Sequence, residues 1–208
     1  MKKTVLLAFI AFSAMSTTVS ASEVQSGDAT KGKAVSGVCT ACHGADGNSA
    51  NPDWPTLAGQ GEAYLIKQLN DFRSDKRKDA TMSAMAKGIA SDEDVIHLAA
   101  YYSSQKAKLG SATNKELLAK GEAIYRGGVL SSGVAACSGC HGPTGTGNPA
   151  AKFPQISGQH SKYVITQLKT FKSGARANDT GKMMQNIALK MTDAEMEAVA
   201  EYIAGLRE

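Results

Sequence analysis

Cys39-Thr40-Ala41-Cys42-His43-Gly44 and, ninety-eight residues later, Cys137-Ser138-Gly139-Cys140-His141-Gly142 contain all four cysteines of this 208-residue chain. Each copy spaces two thiols by two residues and follows the second with a histidine. In an exported chain, four cysteines suggest two disulfides. That reading explains neither the fixed gap nor the histidine. A single zinc site would gather both pairs into one module, whereas here each pair stands alone inside its own half. A thioredoxin-like dithiol needs no trailing histidine and sits in a βαβ setting, which this sequence lacks.

The pattern matches the attachment signature of c-type haem. Thiols placed this way on a helical turn match the spacing of the porphyrin's two vinyl groups. The histidine that follows lies under the ring, where its imidazole can bind iron. Two haem c groups are therefore expected, attached through Cys39 and Cys42 and through Cys137 and Cys140, with His43 and His141 as proximal ligands.

Working outward from the two motifs, the chain is written twice. "PTLAGQGEAYLIKQLNDFRS" from Pro55 corresponds to "PQISGQHSKYVITQLKTFKS" from Pro154, and "SDEDVIHLAAYY" from Ser91 corresponds to "TDAEMEAVAEYI" from Thr192. A period of about one hundred residues is too long for a solenoid repeat and indicates tandem domains. The expected division is residues 22–106 and 107–208, with a polar linker at about 103–114. Domains this small have meagre cores and often need a staple, metal or cofactor.

The periodicity is helical in both copies. Val95, Leu98, Ala99 and Tyr102 recur at i, i+3, i+4 and i+7, as do Met196, Val199, Ala200 and Ile203. Ser91 with Asp94 and Thr192 with Glu195 predict capping-box starts. Tyr64, Leu65, Leu69 and Phe72 form a further stripe, mirrored by Tyr163, Val164, Leu168 and Phe171. With no alternating strand pattern, the expected class is all-α, two domains each wrapped around one haem. The second copy carries an extra glycine-rich loop, "YRGGVLSSGV", before its cysteines.

Residues 1–21, MKKTVLLAFIAFSAMSTTVSA, read as a cleaved secretory signal: two lysines, a short apolar run and a small-residue end. The run falls short of the roughly 20 residues needed to span a bilayer. Without Lys2 and Lys3, 21 basic and 19 acidic side chains remain, a net of +2. That balance is too weak and mixed for a nucleic-acid binder. It is unevenly divided: 9 basic and 11 acidic residues up to Lys106, 12 and 8 beyond it.

The sixth iron position separates a carrier from a catalyst, because a methionine there fills the site whereas a vacancy admits ligand chemistry. His97 aligns with Ala198 and His160 with Gly61, so neither serves a role common to both halves; each reads as an exposed or locally bonded side chain. Met191 and Met196 read as core. Pairing "MSAMA" with "MQNIA" sets Met82 opposite Met184, at the cost of one extra residue, Ala90; Met85 and Met183 remain alternatives. A ligating histidine gives its other N–H to an acceptor, and the carbonyls of Pro55 and Pro154 are well placed for that. Trp54 and Phe153, just before these prolines, are expected near the rings.

Taken together, CTACHGADGN, CSGCHGPTGTGN, the "GQ…Y…QL…F" segments, the methionine regions and the terminal helices resemble the cytochrome c4 family over the whole mature chain. The resemblance implies two class I cytochrome c domains and His/Met coordination at both irons. It places the ligand methionine eight or nine residues before the last helix cap, which again favours Met82 and Met184. It also implies a periplasmic, non-enzymatic electron carrier, often loosely membrane-associated, between quinol-oxidising complexes and terminal oxidases. The rival readings are a dihaem peroxidase, in which one iron lacks a methionine, and a haem subunit of a dehydrogenase complex.

Overall fold

The computed structural model describes residues 26–207; the expected leader, residues 1–21, lies outside the described residues. The regular structure of the described residues is helical, and the only β pairing among them is two isolated bridges. The first half contains α1 (Ala29–Val35), α2 (Gly37–His43), α3 (Glu62–Arg73), α4 (Ala80–Lys87) and α5 (Asp92–Ser103). The second contains α6 (Leu118–Gly127), α7 (Ser138–His141), α8 (Ser161–Ser173), α9 (Met183–Leu189) and α10 (Asp193–Gly205).

Each half is organised by its first helix crossing its last, α1 on α5 and α6 on α10. The crossings are close because a glycine sits at each. A Cβ on Gly32 would stand 1.9 Å from the His97 carbonyl oxygen, and one on Gly121 would stand 2.1 Å from that of Ala198. Two separate apolar cores result. Leu65, Leu98, Ala99 and Tyr102 anchor the first, and Leu168, Phe171, Met196, Val199 and Ile203 the second. The helical stripes thus point inward as the periodicity requires.

The helix starts differ in one detail from expectation. At α10 the box is complete: Glu195 N–H donates to Thr192 Oγ1, and Thr192 N–H donates to the Glu195 carboxylate at 2.7 Å. At α5 only half of it forms. Ser91 Oγ accepts from Asp94 N–H at 3.0 Å, but the aspartate, one methylene shorter than glutamate, makes no return bond.

The glycine-rich insertion after α6 is a tight antiparallel turn in which Val129 and Val134 exchange both backbone hydrogen bonds, at 2.9 and 3.0 Å. Val134 is buried in the second core, while Leu130 at the tip is exposed. The segment between α5 and η1 (Lys115–Leu117) is extended but firmly held. Asn48 bonds the Lys106 carbonyl and the Lys108 N–H, and Glu201 accepts the N–H groups of Thr113 and Asn114.

The two halves meet through polar side chains of α3, α8 and the loops around them. Gln60 Nε2 donates to the Gln155 carbonyl and its Oε1 accepts from Gln155 N–H, both at 2.9 Å. The equivalent glutamine, Gln159, holds Thr56 in the same two ways. Between the helices two buried guanidiniums interlock. Arg77 reaches Gln68, Gln167 and Tyr163, and Arg176 reaches Gln167, Gln68 and Tyr64. Each also lies over its own domain's phenylalanine, Phe72 or Phe171, at 4.5 and 4.4 Å, a favourable cation–π contact. Burial pushes the Tyr64 phenol up, but Arg176 and Arg77 outweigh it and hold the phenol below its ordinary value. The contacts are therefore reciprocal, relating the halves by a local two-fold.

Candidate haem sites

Cys39 and Cys42 lie one turn apart on α2, which ends at His43 with Gly44 in a positive-φ conformation. In the second half Cys137 caps α7, Cys140 lies within it, and His141 closes it before Gly142. Each pair thus sits on a single helical turn, with the histidine emerging at its C-terminal end. All four thiols are free. Among the described residues no three of His, Cys, Asp and Glu converge on a metal position, so the pairs do not combine into one zinc site.

Both imidazoles are buried and similarly held. His43 Nδ1 lies 2.9 Å from the Pro55 carbonyl oxygen, and His141 Nδ1 lies 2.9 Å from that of Pro154. A carbonyl can only accept, so Nδ1 carries the proton and the Nε2 lone pair is left available to a metal. Burial pulls both imidazoles below their ordinary pKa, against the opposing effect of the proline carbonyls. Both are therefore neutral at neutral pH, the form that binds metal.

Neither Cys39 nor Cys137 has the lowered pKa of a reactive dithiol. Burial pushes Cys39 up and raises Cys137 to about 11.

In the first domain the donors share one cavity of about 390 Å³. Cys39, Cys42 and His43 line it from α2, Leu69 from α3, and Met82 and Met85 from α4; its walls are otherwise mostly apolar. Two thiols, a neutral imidazole and thioethers around an apolar slot are the donor set that an iron porphyrin requires. A larger hollow of about 630 Å³, between Ser111 and Arg207, contains none of these donors.

Asp79 caps α4 and accepts the Met82 N–H at 2.8 Å, fixing where that residue enters the slot. Met82 is half-buried whereas Met85 is 47% exposed. In the second domain Met184 is half-buried against the core, and Met183 is exposed. The flanking aromatics differ. The Phe153 ring centroid lies 6.4 Å from that of His141, while Trp54 is 40% exposed. The buried hydroxyl of Tyr102 stands beside the Cys39 thiol.

Two small helical domains, each carrying a Cys-Xaa-Xaa-Cys-His turn and a carbonyl-anchored histidine, define the protein as a c-type cytochrome. The family model "Cytochrome c" matches twice, over residues 29–106 and 118–207. The chain is 48% identical over 181 residues to cytochrome c4 of Pseudomonas aeruginosa, covering 86% of this chain and 89% of that protein. The crystal structure of reduced recombinant cytochrome c4 from Pseudomonas stutzeri superposes with a TM-score of 0.84 at 44% identity, covering 88% of this chain and all of that one. A protein named thiosulfate dehydrogenase electron acceptor, from Thiomonas intermedia, is 40% identical over 170 residues, 80% of this chain and 77% of that protein. The chain belongs to the cytochrome c4 family, an electron-transfer family with two haem c groups per chain.

One residue near the site escaped the sequence. His160 is neither locally bonded nor free: its Nε2 donates across the domain boundary to the Ser49 carbonyl at 3.0 Å. The signal was its mismatch with Gly61, which marks a residue needed in one half only.

Proposed function

We propose that the chain is a periplasmic dihaem electron carrier between a quinol-oxidising complex and a terminal oxidase, with each iron held by a histidine and a methionine. Cys39 and Cys42 would hold the first haem and Cys137 and Cys140 the second, and His43 with Met82, and His141 with Met184, would ligate the two irons. The observation that carries the reading is the first domain's cavity, where both thiols, the carbonyl-anchored imidazole and the Met82 thioether line one apolar slot. When bound, the haem iron supplies reversible one-electron chemistry. The chain holds the imidazole neutral and oriented and keeps water from the slot with Leu69, Ile89 and Leu98, and the Met82 thioether would give the iron a sulfur ligand. Sulfur ligation favours the reduced iron and raises its potential.

A methionine in each half argues against a peroxidase, which needs a vacant position. The excess of acid in the first domain and of base in the second supports separate partners steered by opposite fields. No helix among the described residues is long and apolar enough to cross a membrane.

Replacing Met82 and Met184 singly tests the ligand assignment. Each variant loses the weak charge-transfer band of methionine-bound ferric haem from one of the two sites; a band unchanged in both overturns it. The similarity to an electron acceptor of thiosulfate dehydrogenase favours a second reading, a haem subunit of a dehydrogenase complex. Size-exclusion chromatography of native extract separates the two, since a subunit elutes with its enzyme and a free carrier alone.

A further inference from the structure

The reciprocal contacts described above are not the whole of the domain boundary. In each domain a strap of chain runs from the iron-binding histidine past the proline whose carbonyl holds that histidine's Nδ1: Gly44 to Ala58 in the first, Gly142 to Ser157 in the second. The straps share one internal feature. Leu57 and Ala58 N–H both donate to the Gly47 carbonyl, and Ile156 and Ser157 N–H both donate to that of Gly145. They differ in what holds their middle.

The second strap closes on itself. Asn148 and Phe153 form an antiparallel bridge, exchanging two hydrogen bonds of 3.0 Å immediately before Pro154. The first strap has no such bridge. Local turns centred on Asn51 shape its middle, and the other domain clamps it from outside. His160 Nε2 donates to the carbonyl of buried Ser49, whose hydroxyl donates in turn to the Cys42 carbonyl at 2.9 Å. Lys162 pairs with Asp53 at 2.6 Å. Both residues lie at the start of α8, next to Gln159. At the matching start of α3 stand Gly61 and Ala63, which have nothing to extend. Gln60 thus grips the second strap once, at Gln155, whereas Gln159, His160 and Lys162 grip the first at Thr56, Ser49 and Asp53.

We propose that His160 and Lys162 are positioning residues for the first domain's iron ligand: the second domain holds the strap that sets the His43–Pro55 hydrogen bond, and the first domain does not do the same in return. This rests on the assignment of His43 as an iron ligand. The consequence is electronic. A short Nδ1–H···O=C bond makes an imidazole a stronger donor and favours oxidised iron. Slackening the strap weakens that bond at His43 alone and shifts the first haem toward reduction.

The test uses the full-length holoprotein, with His160→Ala, Lys162→Ala and His160→Gln, the last preserving a side-chain N–H donor. The reduced-to-oxidised ratio of each haem is read at a fixed solution potential, from haem-methyl resonances assigned to each domain. For His160→Ala the first haem's ratio rises about threefold or more, a shift well resolved for a one-electron couple, and the second haem's stays unchanged. Lys162→Ala shifts the first haem in the same direction by less, because its ion pair is exposed, and His160→Gln recovers most of the original ratio. A second readout needs no redox chemistry: amide hydrogen exchange at Leu57 and Ala58 quickens in His160→Ala, while that at Ile156 and Ser157 does not. Equal shifts in both haems, no shift in either, or a His160→Gln variant no better than His160→Ala each overturn the proposal. Failure of the ligand assignment itself looks different: the methionine and histidine signatures of the unsubstituted protein would be absent before any of these variants was made.

Discussion

Gln60 and Gln155 are bound to each other twice across the domain boundary, once through each end of the Gln60 amide. Because the side chain serves as donor and acceptor to a single residue's backbone, alanine leaves a partly buried N–H and a partly buried C=O unpaired together. Gln60→Ala is expected to weaken domain docking by about 1–3 kcal/mol, and Gln159→Ala by a similar amount at Thr56. Urea denaturation followed at each haem measures this as a first transition that moves away from the second. Coincident, unshifted transitions contradict it.

The guanidiniums between α3 and α8 call for arginine specifically. Arg176 spreads its charge over Gln167, Tyr64, Gln68 and Asn178, and a lysine has neither the reach nor the planar fork to do so. Arg176→Lys is predicted to cost about 2–3 kcal/mol despite preserving the charge. Equilibrium denaturation reads the loss, and a lysine variant as stable as the parent refutes the role of the fork.

Glu201 ties the linker to α10, and its ionisation makes the tie sensitive to pH. Burial pushes its carboxyl up, but the N–H donors of Asn114 and Thr113 outweigh it and leave the pKa below the ordinary 4.5. A depressed carboxylate stabilises the fold above its unfolded pKa and loses that contribution as pH falls through the folded value. Second-domain stability should therefore decline as pH drops below about 4.5, and Glu201→Gln should flatten that decline while lowering stability at neutral pH. Thermal melts between neutral and acid pH check both limbs.

At the helix crossings, Gly32→Ala and Gly121→Ala should each destabilise their own domain by about 2–3 kcal/mol, because the added methyl meets a carbonyl oxygen at 1.9 or 2.1 Å and the helices must separate. Hydrogen exchange resolves the effect by domain: α5 amides lose protection in the first variant and α10 amides in the second. Loss in both domains for either variant contradicts two independent cores.

Much of this architecture is written locally. Helical stripes such as Val95, Leu98, Ala99 and Tyr102 follow from burying one face, and a turn carrying Cys39, Cys42 and His43 follows from their spacing alone. What the sequence conceals is the second buried face of α3 and α8. Gln68, Asp71, Arg77 and Arg176 are as buried as several core residues, yet by composition they read as solvated surface, since only docking gives them partners. His160 is hidden for the same reason: its acceptor is a backbone carbonyl, which any residue supplies. Asp94 shows the opposite failure, a local pattern that promised a reciprocal bond its side chain is too short to make.

The reciprocity of the boundary has a further consequence. Contacts in which residue i of one half meets residue j of the other, and j meets i in return, are the isologous arrangement of two-fold homodimers. Here both partners belong to one chain, joined by a linker that Asn48 and Glu201 fasten at either end. The pairing is therefore an intramolecular equilibrium set by effective concentration. Diluting the protein a millionfold will leave the two halves together.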